Sequence, residues 1–271
     1  MTAVPSAYDP ADPATLTFTE SAGPQPLRAN TVLPAVRENI ELRTDDGLTL
    51  YGELALPADG QVRATLITLH PLPTHGGFMD SHVYRKASYR LPALAGIAVL
   101  RFNTRGTSSP RGTSDGEFDG GVAERLDLAA AVRFAVERGL PRLWLVGWSF
   151  GTELALRYGS VSPAAEEIEG AILLSPPLHR ADDDDLRRWG AAPLPLKVLV
   201  PEHDDYLQPA EAAQRFSLVP QADVIGVDGA KHLWVGEKHV QRVLNEIVAT
   251  VTPEVPTPLP TEWAGPVAQG Q

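Results

Sequence analysis

The chain has 271 residues, 43% of them hydrophobic and 21% charged, a balance ordinary for a soluble globular protein with a core large enough to need no staples. Its net charge of −11 argues against nucleic acid and against an anionic membrane surface as partners, since nothing offsets the repulsion. It contains no cysteine, which excludes disulfide scaffolds, cysteine nucleophiles and thiolate metal sites.

Residues 1–35 are rich in Pro, Ala, Ser and Thr without steady periodicity and read as a loosely ordered arm. Residues 1–13 show neither a basic leader nor an apolar stretch, and no window approaches a membrane span, so the expected location is cytoplasmic. A single domain is expected over residues 36–251. It begins with Ile40-Glu41-Leu42-Arg43 and residues 48–54, which alternate apolar and polar around Asp45-Asp46-Gly47, a hairpin with a D-G turn. The run 64–69 is continuously apolar, as a buried third strand is. A helix is expected over 82–94, a fourth strand over 97–100 and a helix over 121–136, where Val122, Leu126, Ala129, Ala130 and Phe134 share one face. Strands follow at 143–146, 171–174, 196–200 and 223–227, with helices at 150–158, 209–216 and 237–251 between and after them. Residues 252–271 carry Pro253, Pro256, Pro258, Pro260 and Pro266 and read as an extended or disordered tail. A hairpin followed by repeated strand–helix units predicts an α/β fold: a mostly parallel sheet, helices on both faces, and a site beyond the carboxyl ends of the strands.

The most informative segment is Gly147-Trp148-Ser149-Phe150-Gly151. A bare G-x-S-x-G recurs by chance. Here an apolar strand, Leu143-Trp144-Leu145-Val146, precedes it and a helix follows it, the setting of a nucleophile elbow. Such a turn exposes the Ser149 hydroxyl above the sheet, but a serine hydroxyl is a poor nucleophile without a base. Two later loops supply partners. Beyond the strand 196–200 lie Glu202, Asp204 and Asp205; Asp204 is the choice for the acid that orients a histidine, with Asp205 and Glu202 as alternatives, and given the elbow this outweighs a merely solvated acidic turn ahead of a helix. His232, one of only seven histidines, falls on the loop after the last strand. The order Ser149, acid, His232 is the order that follows a G-x-S-x-G elbow. After the third strand comes His70-Pro71-Leu72-Pro73-Thr74-His75-Gly76-Gly77, in which two prolines stiffen the loop while Leu72 keeps its N–H. His70 and His75 lack a nearby acidic cluster and read as hydrogen-bonded loop residues, not metal ligands.

Further segments invite two readings each. Arg101 and Arg105 could bind a substrate carboxylate, but loops fastened to Glu124 or Asp127 are the preferred reading. Residues 108–120 are rich in Gly, Ser and Asp and read as a mobile loop at the rim. Asp182-Asp183-Asp184-Asp185 opens a short helix, where acidic side chains suit the helix dipole better than a calcium ion.

Taken together, these segments resemble a serine hydrolase of the α/β-hydrolase superfamily, nearest the compact bacterial esterase and dienelactone-hydrolase-like group. The likeness covers about residues 37–251 and rests on His70-Pro71-Leu72-Pro73 with Gly76-Gly77, on 100–106, on Gly120-Gly121 with Glu124 and Asp127, on the elbow, and on the Asp204 and His232 segments. True dienelactone hydrolases use a cysteine nucleophile, which this chain lacks. The resemblance implies Ser149 as nucleophile, His232 as base, and Asp204 as the orienting acid, because Asp204 leads a D-x-Y-L-x-P pattern. It implies the backbone N–H groups of Leu72 and Phe150 as oxyanion donors, and no metal or cofactor. Residues 175–197 leave room for one short helix, so no cap domain is expected. The implied activity is hydrolysis of small carboxylic esters through an acyl-enzyme. The rival readings are a thioesterase, peptidase or acyltransferase on the same scaffold, or a non-catalytic binding protein. No oligomeric state follows from these features.

Overall fold

The computed structural model describes residues 23–269 together with residues 16, 18 and 19. Its centre is an eight-stranded sheet. The strands are β1 (Ala35–Arg43), β2 (Thr49–Pro57), β3 (Ala64–Leu69), β4 (Ile97–Phe102), β5 (Leu143–Trp148), β6 (Ile168–Leu174), β7 (Leu196–His203) and β8 (Ala222–Lys231). Across the sheet they lie in the order β8-β7-β6-β5-β3-β4-β2-β1. The hairpin β1–β2 is antiparallel and joins β4 antiparallel, and every other pairing is parallel. The sheet is therefore mostly parallel with an antiparallel hairpin at one edge, the expected α/β architecture.

Strand residues of alternate parity face opposite sides, which explains the continuous apolar runs. Ile67, Leu100, Leu145, Leu173 and Val198 face a layer of α2 (Glu124–Glu137), α3 (Phe150–Tyr158), α5 (Asp183–Ala191) and α6 (Pro209–Arg215). Their neighbours Leu66, Val99, Val146, Ile172 and Leu199 face α1 (His82–Ala95) and α7 (Glu237–Val251). The remaining helix, α4 (Ala164–Glu167), is a single turn before β6. At about 1.5–3 kcal/mol for each large apolar side chain buried, these two layers are the main source of stability.

Several expectations are corrected. The described part of the tail is extended but held. Glu262–Trp263 pairs with Gln25–Pro26, Ala268–Gln269 pairs with Thr31–Val32, and Thr19 bridges to Val267. Leu259 is buried in the α1–α7 layer, its N–H given to Asn245 and its carbonyl receiving Gln241. Burial of Leu259, Val267 and Ala268, with two side-chain clamps from α7, thus outweighs the proline-rich composition, and residues 25–32 and 262–269 brace one another. The rest of the expected arm and tail lies outside the described residues.

The segment 108–120 is pinned, not free at the rim. It forms a small hairpin, Asp115 exchanges hydrogen bonds with Thr49, and Ser114 bridges Tyr51 N–H to the Asn103 carbonyl. Arg105 pairs with Asp127, as preferred, and also with Asp46. Arg101 instead pairs with Glu53 and Asp80. Burial pushes the Glu53 carboxyl up, but Arg101, Arg37 and Arg111 outweigh it and hold it far below the usual carboxylate range. Neither Arg101 nor Arg105 reaches the pocket described next.

Candidate active site

Ser149 sits at the crossing from β5 to α3 with φ 52° and ψ −115°, a conformation L-residues rarely adopt. The flanking glycines make this turn possible. A Cβ on Gly151 would lie 1.8 Å from the Leu69 carbonyl oxygen, and one on Gly147 would lie 2.5 Å from the Gly151 oxygen. Only glycine lets α3 approach β3 this closely. The fold then fixes the turn from below: Ser149 N–H donates to Leu174 O at 2.9 Å.

His232 follows the last residue of β8, and its Nε2 lies 2.8 Å from Ser149 Oγ. Its Nδ1 lies 2.9 Å from Asp204 Oδ2 and 3.1 Å from Oδ1. An ionised carboxylate only accepts, so Nδ1 carries the proton and Nε2 is left to accept the serine hydroxyl. Asp204 stands one residue beyond β7 and is itself oriented by the N–H groups of Tyr206 (2.9 Å) and Leu207 (3.4 Å). The other two acids do not reach the imidazole. Glu202 accepts Gly229 N–H at 2.7 Å, and Asp205 is exposed. Asp204 and His232 are both buried, so their interaction is poorly screened by solvent.

The carbonyl of His232 is clamped as well. Trp148 Nε1 donates to it at 3.1 Å and Ser175 Oγ at 3.0 Å. Tyr206 stacks edge-on against the His232 ring at 4.7 Å, and His179 against Tyr206 at 5.1 Å. These supports were not visible in the sequence, because they join residues 57 and 84 positions apart.

Leu72 and Phe150 line the same pocket as Ser149 and His232. Among the described residues neither of their N–H groups donates to a protein acceptor. The Leu72 carbonyl accepts from His75 and Gly77, which makes the loop rigid. His70 anchors this loop. Its Nε2 accepts Thr104 N–H at 3.1 Å, which leaves Nδ1–H to donate to Pro71 O at 2.7 Å. Full burial lowers its pKa to about 4. His75 lies exposed against Thr74, so the two loop histidines have separate partners. Among the described residues no group of three or more His, Cys, Asp or Glu is placed to hold a metal ion. None of the described helices is long and apolar enough to cross a membrane.

The pocket is open and about 160 Å³ in volume. Tyr206 and Leu233 stand at it with large exposed surfaces. His179 and Arg180 complete the wall. They come from the loop after β6, which is held by a buried carboxylate on α3: Glu153 accepts His179 N–H at 2.8 Å and Arg180 N–H at 3.0 Å. The rule that sites form past strand ends would have pointed to this loop. Between β6 and β7 the chain carries α5 alone, capped by Asp182 accepting the N–H groups of Asp184 and Asp185.

A strand–turn–helix serine, a histidine and an acid at the carboxyl ends of a mostly parallel sheet define the class. A family model described as alpha/beta hydrolase fold matches residues 74–194, which include Ser149 but neither Asp204 nor His232. A solved serine hydrolase without lid from Xanthomonas campestris superposes with a TM-score of 0.65 at 26% identity, over 83% of this chain and 98% of that one. The esterase Pf2001 of Pyrococcus furiosus superposes with a TM-score of 0.62 at 21% identity, over 80% and 93%, and shares the fold. An uncharacterized protein of Rickettsia prowazekii is 31% identical over 141 residues, 51% of this chain. That match spans only 56% of the Rickettsia protein's own length. The chain thus has the alpha/beta hydrolase fold, and its middle segment matches that family's model.

Proposed function

We propose that the chain is a serine esterase acting on small carboxylic esters by acyl transfer. The observation that carries the reading is the hydrogen-bonded series from Ser149 Oγ through the His232 ring to Asp204, at 2.8 and 2.9 Å, in an open pocket. The family supplies hydrolase chemistry in general, and the pocket's apolar Leu72, Leu233 and Tyr206 suit a short acyl or alkyl group.

In this mechanism Ser149 Oγ attacks the ester carbonyl carbon while His232 Nε2 takes its proton. Asp204 stabilises the imidazolium that forms. The Leu72 and Phe150 N–H groups receive the oxyanion, each contributing on the order of 3 kcal/mol to the transition state. The C–O bond to the alcohol then breaks, and Nε2–H returns its proton to the leaving oxygen. Water, deprotonated by the same nitrogen, attacks the acyl carbon; the bond to Ser149 Oγ breaks, Nε2–H returns its proton to that oxygen, and the carboxylic acid leaves.

The test is labelling by a fluorophosphonate probe, read by mass spectrometry, beside turnover of p-nitrophenyl butyrate. The wild-type chain takes the probe at Ser149. Ser149→Ala takes none and loses at least about a thousandfold in turnover. An unlabelled wild-type chain, or an alanine variant keeping more than about a hundredth of the turnover, defeats the reading.

A further inference from the structure

The wall of the pocket has an unusual charge. The chain carries 34 Asp and Glu against 23 Lys and Arg, yet among the described residues no carboxylate lines this pocket. An arginine does. Arg180 is fixed at three points: its N–H on Glu153, its Nε on Gly120 O at 2.9 Å, and its guanidinium over the Phe150 ring at 5.3 Å. Phe150 is itself held edge-on by Phe118 and directly follows Ser149. None of these contacts uses the terminal nitrogens. Among the described residues Arg180 makes no ion pair with a carboxylate; its side-chain contacts are the Gly120 carbonyl and the Phe150 ring.

The nearby acids are all engaged elsewhere. Asp182 caps α5, Asp183 pairs with Arg215 and Arg187, Asp184 with Arg187, and Asp185 with Arg188. Glu153 gives its oxygens to backbone N–H groups and not to the guanidinium. An immobilised guanidinium with two free terminal nitrogens is suited to a planar anion, because little freedom remains to be lost on binding.

Resting on the esterase reading, we propose that Arg180 selects the substrate class: esters that carry a second, ionised carboxylate in the portion lying beside Phe150. The small pocket limits the span between that carboxylate and the scissile carbonyl to a short chain.

The test compares matched esters in a pH-stat: monomethyl glutarate against methyl pentanoate for the acyl side, and 4-acetoxybenzoate against 4-acetoxytoluene for the alcohol side. The wild-type chain favours the anionic member of one pair by about tenfold or more in kcat/KM. Arg180→Gln lowers that ratio about tenfold, and Arg180→Lys restores part of it. A ratio near one in both pairs, or one unmoved by Arg180→Gln, overturns the proposal. Calorimetry with glutarate needs no turnover and separates this proposal from the esterase reading. Ser149→Ala binds glutarate, and Ser149→Ala combined with Arg180→Gln does not. Arg180-dependent glutarate binding without any ester cleavage would sink the esterase reading and, with it, ester selection, leaving Arg180 as a carboxylate-binding residue only. Cleavage of neutral esters without anion selectivity or glutarate binding does the reverse.

Discussion

Trp148 donates its indole N–H to the carbonyl oxygen of His232 at 3.1 Å, so the residue before the proposed nucleophile holds the proposed base. Ser175 Oγ adds a second bond to the same oxygen. The indole is fully buried and stacked edge-on against His82 and Tyr84, which leaves it no alternative placement. A positioning bond of this kind acts on the geometry of attack, where a displacement of about 1 Å costs on the order of a hundredfold. Trp148→Phe is therefore expected to lower kcat about tenfold while KM changes little, and Ser175→Ala to act in the same direction. Steady-state kinetics on folded variants decide this. An unchanged kcat with a lowered Tm would make Trp148 a packing residue only.

The identity of the acid is open to a sharper test. Asp204 contacts both the imidazole and the N–H groups of Tyr206 and Leu207, while Glu202 and Asp205 do not reach the imidazole. Asp204→Asn leaves the shape intact but favours the wrong imidazole tautomer. Turnover is expected to fall by roughly four orders of magnitude. Asp205→Asn and Glu202→Gln are expected to stay within a few-fold of wild type, since surface carboxylates are screened. If Asp205→Asn were the damaging change, the acid would be one residue further along.

The sequence carried the fold and the three converging residues because their constraints are local. Alternating parity marks each strand, and the spacing of Gly147 and Gly151 around Ser149 reflects contacts within a few ångströms of the turn. What lay beyond it depends on which elements meet across the sheet. Arg101 finds Glu53 on β2, 48 residues away, instead of Glu124 or Asp127, because β2 and β4 are neighbours. Glu153 reaches residues 179–181 because α3 packs beside the loop leaving β6. Leu259 sits in a proline-rich stretch whose composition matches that of unstructured chains, and only the Asn245 and Gln241 side chains show why it is held.

His70 links the loop of Leu72 to Thr104, and this link is sensitive to acid. Its ordinary value of 6.5 falls to about 4 in the fold, where burial disfavours the charged ring. The unfolded chain therefore binds a proton that the folded chain refuses. The contribution of His70 to stability is full above about pH 6.5 and is lost as pH falls from there to about 4, by up to roughly 3 kcal/mol. Glu53, held low by its arginines, loses its contribution only in stronger acid. Urea unfolding across this window is expected to slope with pH in the wild-type chain and to be flatter in His70→Gln. Equal slopes in the two would remove His70 as the cause.

The size of the acyl group follows from what closes the pocket. No domain sits between β6 and β7 except α5, and the segment 108–120 is tied to β2 instead of hanging over the site. Among the described residues, Tyr206 and Leu233 offer the large exposed apolar surfaces at the mouth, beside the exposed rings of His75 and His179. Each methylene that is buried contributes about 0.8 kcal/mol, or about fourfold in kcat/KM, until the pocket is full. Efficiency is expected to climb from acetate, to peak at an acyl length of about four to six carbons, and to fall beyond, because further methylenes stay in water. No activation at lipid interfaces is expected either, since among the described residues no segment lies over the site as a lid. Measuring kcat/KM for p-nitrophenyl esters from acetate to laurate checks this. A rise that continues to laurate would require a long apolar groove, which the walls described here do not form.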